Sequence, residues 1–133
     1  MKKLLTATLC ALTLLGLAAC QRPEDRVKAV AETFLHAYYT ADYAAAAERC
    51  TPRLAALVAL GVDAQDALPA DLAEKMKEAV ALTSFKIVSV DVDEEASSAR
   101  VVYLLTVPEL DQPVEKALTL QMEGGTALVD RIE

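Results

Sequence analysis

Tryptophan is absent from this chain, histidine occurs once and cysteine three times in 133 residues. One histidine and so few thiols leave no basis for a zinc-type cluster, which gathers four Cys, His or carboxylate ligands at set spacings. Phe34 and Phe85 are the two phenylalanines, so Tyr38, Tyr39, Tyr43 and Tyr103 supply most of the aromatic surface. Basic residues are also scarce, 13 against 20 acidic, for a formal net charge of −7. Such a surface repels phosphate backbones and anionic headgroups, which disfavours nucleic acid as a partner and electrostatic docking on a membrane. No catalytic, metal or nucleotide motif stands out, no cofactor is implied, and no repeat, low-complexity tract or interdomain linker divides the chain.

What is present begins at the first residues. Lys2 and Lys3 precede the apolar run Leu4 to Leu15, and Gly16, Ala18 and Ala19 then lead to Cys20. A positive start, an apolar stretch and small residues make a secretory signal. The run is too short to span a bilayer comfortably, which takes roughly 20 apolar residues. The segment Leu17-Ala18-Ala19-Cys20 resembles the lipobox of bacterial lipoprotein precursors. That resemblance implies cleavage between Ala19 and Cys20, and acylation (palmitate) of Cys20, which would be the membrane partner's point of attachment. Two or more acyl chains anchor stably where one does so marginally. Gln21 follows, and in the enterobacterial sorting pattern a residue other than Asp there implies the outer membrane, facing the periplasm, in an organism that has one.

Removing residues 1–19 from 133 leaves 114, enough for one domain over 24–133 after a brief spacer at 20–23. Lys2 and Lys3 leave with the signal and every acid remains, so the side chains then sum to −9. Cys10 leaves as well. With Cys20 acylated, Cys50 has no internal partner, which suits a buried small hydrophobe or, alternatively, a redox thiol.

Pro23 suits a first helical turn, with Glu24 and Asp25 complementing the dipole. Val27, Val30, Ala31, Phe34, Leu35 and Tyr38 then recur at helical spacing, predicting a helix to about Tyr39. Thr40 and Asp42 are candidate caps for a second helix over Tyr43–Arg49. Thr51-Pro52 starts a third, with Gly61 as its expected stop and a loop holding Asp63 and Asp66. Pro69 opens a fourth, striped by Leu72, Met76, Ala79 and Val80. From Phe85 the period becomes two: Val88, Val90 and Val92 alternate with Ser89, Asp91 and Asp93. Further strands are expected at Ala99–Val107, with Val101, Tyr103 and Leu105 on one side, at Val114 to Met122, and at Ala127–Ile132, the last two joined by a tight Gly124-Gly125 hairpin. Helices followed by a strand meander define an α+β fold with about four antiparallel strands.

The stretch from Phe34 to Ala46, with Cys50-Thr51-Pro52 after it, resembles the start of small bacterial lipoproteins in the nuclear-transport-factor-two-like superfamily, also called ketosteroid-isomerase-like or cystatin-like. That resemblance implies a curved sheet wrapped around the long helix as a cone. It also implies a homodimer through the sheet's outer face as a candidate assembly, although Ser89, Asp91 and Asp93 leave that face without a clear apolar patch. Phe34, Tyr38 and Tyr103 are candidate ligand-pocket residues.

Enzymes of the ketosteroid-isomerase type need an inward carboxylate base and an oxyanion donor. Asp130 is the candidate acid. If Leu128 and Ile132 face the core, so does Asp130; if Ala127 and Val129 do, Arg131 is the inward polar group. His36 is the other candidate base, one turn after Glu32, where a solvated i, i+4 pair is the plainer account. Two function classes follow. The first is a non-enzymatic envelope lipoprotein that holds a small apolar ligand or binds an envelope protein. The second is a small lyase or isomerase using Asp130 or His36 as base.

Overall fold

The computed structural model describes residues 22–133. The expected signal, the Ala19–Cys20 cleavage site, the Cys20 anchor, Cys10 and Gln21 lie outside the described residues. Four helices come first: α1 (Pro23–Tyr39), α2 (Tyr43–Ala47), α3 (Pro52–Asp66) and α4 (Ala70–Ala81). Four strands follow: β1 (Ser84–Asp93), β2 (Ser98–Thr106), β3 (Val114–Glu123) and β4 (Thr126–Ile132). They form one curved antiparallel sheet in the order β1-β2-β3-β4. This is the α+β order that the change of hydrophobic period predicts.

Helix α1 starts with Pro23 at its first turn beside Glu24 and Asp25, and buries Val27, Ala31, Phe34, Leu35 and Ala37. Its long apolar stripe lies on the inner face of the sheet, where Val101, Tyr103, Leu118, Leu120 and Val129 are also fully buried. The helix ends at Tyr39, and the chain turns away through Thr40 and Ala41, whose φ of 62° is left-handed. Asp42 N–H donates to Ala37 O at 2.8 Å and Ala41 N–H to Tyr38 O at 3.2 Å, which satisfies the last carbonyls in the manner of a Schellman turn. Of the two candidate caps, Asp42 serves α2, accepting from Ala45 N–H at 3.3 Å. Helix α2 stops at Ala47, two residues before the expected Arg49.

Gly61 does not end α3. The helix continues to Asp66 and absorbs the expected loop with Asp63. The glycine is there for packing: a Cβ at position 61 would lie 2.8 Å from Cδ2 of Tyr43, so α2 and α3 approach through the missing side chain. Helix α4 also differs from expectation. No residue of it is buried, and Leu72 is exposed, so its apolar stripe does not join the core.

In the sheet, Val101, Tyr103 and Leu105 point inward as expected. Val88 does not share a face with Val90 and Val92. A bulge between Ile87 and Ser89 inserts Val88 as an extra residue, which turns it outward to 49% exposure and leaves Phe85, Ile87, Val90 and Val92 packed on the core. The β3–β4 hairpin turns on Gly124 and Gly125, with φ of 55° and 86°, the paired positive values that a two-residue primed turn requires. A second bulge, between Thr119 and Leu120, leaves Asp130 as the extra residue on β4. Ala127 and Val129 are therefore buried and Ile132 also packs on the core, despite the difference in parity. Arg131 is exposed.

Candidate ligand site at the open end

Tyr39 lies near Phe85, with ring centroids 6.5 Å apart, so the end of α1 meets the start of β1. A cleft walled in part by Thr40 and Ala41 opens at this end of the molecule. The other end is marked by Arg26, whose Nη1 donates to Gly125 O at 3.1 Å. An aromatic cluster fills the space behind the open end. Phe34 stacks on Tyr38 at 5.5 Å, and Tyr38 meets Tyr39 and Tyr43 edge-on at 5.1 and 5.7 Å. The Tyr39 and Tyr103 hydroxyls are hydrogen-bonded at 2.9 Å. Burial raises the pKa of both phenols, and most strongly that of Tyr103, so both stay protonated through neutral pH.

Of the three expected pocket residues, Phe34 and Tyr103 are fully buried and make up core. Tyr38 is half-buried and, with Tyr43, Leu54, Leu57, Val58 and Ile132, borders an open groove of about 240 Å³ beside Gly61. The Tyr39–Tyr103 pair went unread in the sequence. The signal was there: Tyr39 follows Leu35 by four residues, which puts it on a buried face of the helix.

A separate cleft of about 290 Å³ opens between the end of α1, the end of α3 and α4. Leu68, Ala73, Met76 and Val80 give it an apolar wall, with Thr40, Gln65 and Lys77 as its polar edge. Ala41 belongs to the same wall. Its left-handed backbone costs an L-residue roughly 1–2 kcal/mol and belongs to the turn that ends α1. The stripe of α4 thus faces a space as well as a neighbour.

Asp130 is placed away from the tyrosines. Its carboxylate accepts from Thr51 Oγ1 at 2.9 Å and lies 3.3 Å from Arg53 Nη2, which also donates to Asp130 O at 2.7 Å. The Thr51 hydroxyl above all, with Arg53 beside it, holds the carboxyl below its ordinary range against the opposing effect of burial. Thr51 occupies the expected N-cap position, yet its hydroxyl serves Asp130 rather than the helix. His36 is exposed, on a shallow groove with Lys28, Glu32, Phe85 and Lys86. Neither candidate base therefore stands within the aromatic cluster. Cys50 is buried, donates from Sγ to Ala46 O at 3.3 Å, and its thiol is pushed up to about 11 by burial, which keeps it protonated and poorly nucleophilic. Among the described residues no group of three His, Cys, Asp or Glu could hold a metal ion.

No protein-family model matches this chain, and no curated protein matches it. Among solved structures it is similar to an NTF2-like protein of unknown function from Cytophaga hutchinsonii, with 10% identity, a TM-score of 0.38, and coverage of 78% of this chain and 87% of that one.

Proposed function

We propose that this is a lipid-anchored protein of the cell envelope whose domain takes up a small, mainly apolar molecule in the cleft beneath α4. The reading is supported for the anchor by the order of charge, apolar run, small residues and Cys20. Gln21 adds the outer membrane, facing the periplasm, as the destination where the organism has one. The observation that carries the ligand reading is α4 itself: an amphipathic helix that buries no side chain and instead lines a cleft of about 290 Å³ with Ala73, Met76 and Val80. Pockets for small molecules are typically apolar, with a few polar groups at the edge that fix orientation. Thr40, Gln65 and Lys77 are such groups here.

Intact-mass spectrometry of the full-length gene product, purified from its native membranes, tests both halves. The expected species begins at Cys20, carries acyl mass there, and loses a small molecule on denaturation. Met76→Trp, which fills the cleft, should remove that molecule and leave the acyl mass. A chain retaining residues 1–19 with Cys20 unmodified would overturn the anchor. A bound molecule indifferent to Met76→Trp, or none at all, would overturn the cleft.

A further inference from the structure

A second cleft, of about 360 Å³, lies at the opposite end of the molecule between the first turns of α1, the segment after α2, and the β3–β4 hairpin. Arg26, Val30, Glu48, Arg49, Gly125 and Thr126 are among its walls. In a chain with 20 acidic and 13 basic residues, an arginine ordinarily has a carboxylate to hand. Among the described residues the ion pairs engage Arg53, Lys77 and Arg100, and none engages Arg26 or Arg49. Arg26 is further marked by its Nε, which is shielded from water and has no hydrogen-bond partner. Its Nη1 is spent on Gly125 O. What remains is the side-on edge of Nε and Nη2, the edge that grips a phosphate or carboxylate through two parallel hydrogen bonds. Arg26 as a whole is only half-buried and lines the cleft, so an anion there would meet the guanidinium and draw its shielded edge outward, in exchange for the contact with Gly125 O.

The position of the cleft selects among anions. Arg26 is six residues beyond Cys20, and an extended spacer from Cys20 to Pro23 reaches about 10 Å. Helix α1 then carries the chain about 25 Å away, at 1.5 Å per residue, to the open end. We propose that the cleft lined by Arg26 and Arg49 binds the phosphodiester of an anionic lipid headgroup in the membrane that carries the protein, which seats this end on the bilayer and points the apolar cleft outward. The proposal rests on the anchored reading above. A net charge this negative opposes docking from solution, and Glu48 in the cleft wall opposes it locally. Tethering changes the arithmetic, because it holds the cleft at a high effective concentration of headgroups and asks only for short-range capture.

The test is a titration of the full-length protein with dihexanoyl-phosphatidylglycerol, read on the Nε–H resonance of Arg26 by NMR, with dihexanoyl-phosphatidylcholine and glycerol 3-phosphate as comparisons. The expected result is a saturable shift with the anionic lipid alone, weakened tenfold or more by R49Q, and by R26K when followed on the backbone N–H of Gly125 in the cleft wall, and unchanged by R131Q on β4. Arg49 is exposed, so R49Q leaves the fold intact even if the Arg26 variant does not. Binding unaltered by both variants, or no binding, would overturn the cleft as a site. Glycerol 3-phosphate binding as tightly to the same Nε–H would overturn the lipid as its source. Because the lipid is supplied in solution, an unacylated chain that shows the shift fails the anchor and keeps the site, whereas an acylated chain without it fails the site alone.

Discussion

At the scale of single residues, the hydroxyl pair of Tyr39 and Tyr103 is the most consequential contact in the core. Tyr103 is fully buried and Tyr39 half-buried, so the two ends of the bond are not equivalent. Tyr39→Phe strands a buried hydroxyl and should cost about 1–3 kcal/mol, whereas Tyr103→Phe leaves a hydroxyl that water can reach and should cost about 1 kcal/mol. The double variant should lose less than the sum of the singles, since no donor is then left without an acceptor. Urea denaturation of the four proteins reads this directly, and strict additivity would show that the bond contributes nothing. Much of this neighbourhood was legible in advance: the face carrying Phe34, Leu35 and Tyr38 follows from spacing alone. The fate of Asp130 was not, because parity arguments assume an unbroken ladder. A single bulged residue broke both alternatives, since Val129 is buried and Ile132 packs on the core while Arg131 is exposed and Asp130 lies between them at the bulge.

At the scale of elements, helix and strand types were readable wherever the hydrophobic period was long, as in α1 and β2. The errors came from residues whose role is tertiary. Gly61 has the local character of a stop, yet it is held inside α3 by the ring of Tyr43. Gly61→Ala therefore sets two effects against each other. Helix propensity favours alanine by about 1 kcal/mol, and overpacking against a half-buried ring costs about 1–3 kcal/mol. The net expectation is destabilisation on the order of 1 kcal/mol by thermal or chemical denaturation, and a stabilised variant would mean that α2 yields easily. The α4 stripe was equally visible, but a stripe shows only that a face is apolar. Whether it closes a core or walls a cleft depends on elements that are distant in sequence.

At the scale of the whole molecule, the helical part is fastened to the last strand by a few polar contacts around the start of α3. Val129 N–H donates to Arg49 O and Thr51 N–H donates to Val129 O, both at 2.8 Å, and the Asp130 carboxylate joins Thr51 and Arg53 beside them. Because the folded carboxyl titrates below its ordinary 3.8, its contribution is present above about pH 4 and is lost as acid protonates it at lower pH. Wild type should therefore lose more stability between pH 7 and pH 3 than Asp130→Asn, measured as the shift in urea midpoint. Parallel losses would remove Asp130 from the fastening. The backbone part of this junction has a further consequence. β4 is an edge strand, and the N–H and C=O of Val129 that turn toward its open side are already taken by the chain before α3. Unsatisfied groups on such a margin are a template for ladder growth between molecules. Here the middle of that margin is occupied from within, so the β4 side offers a neighbouring copy no unbroken seam.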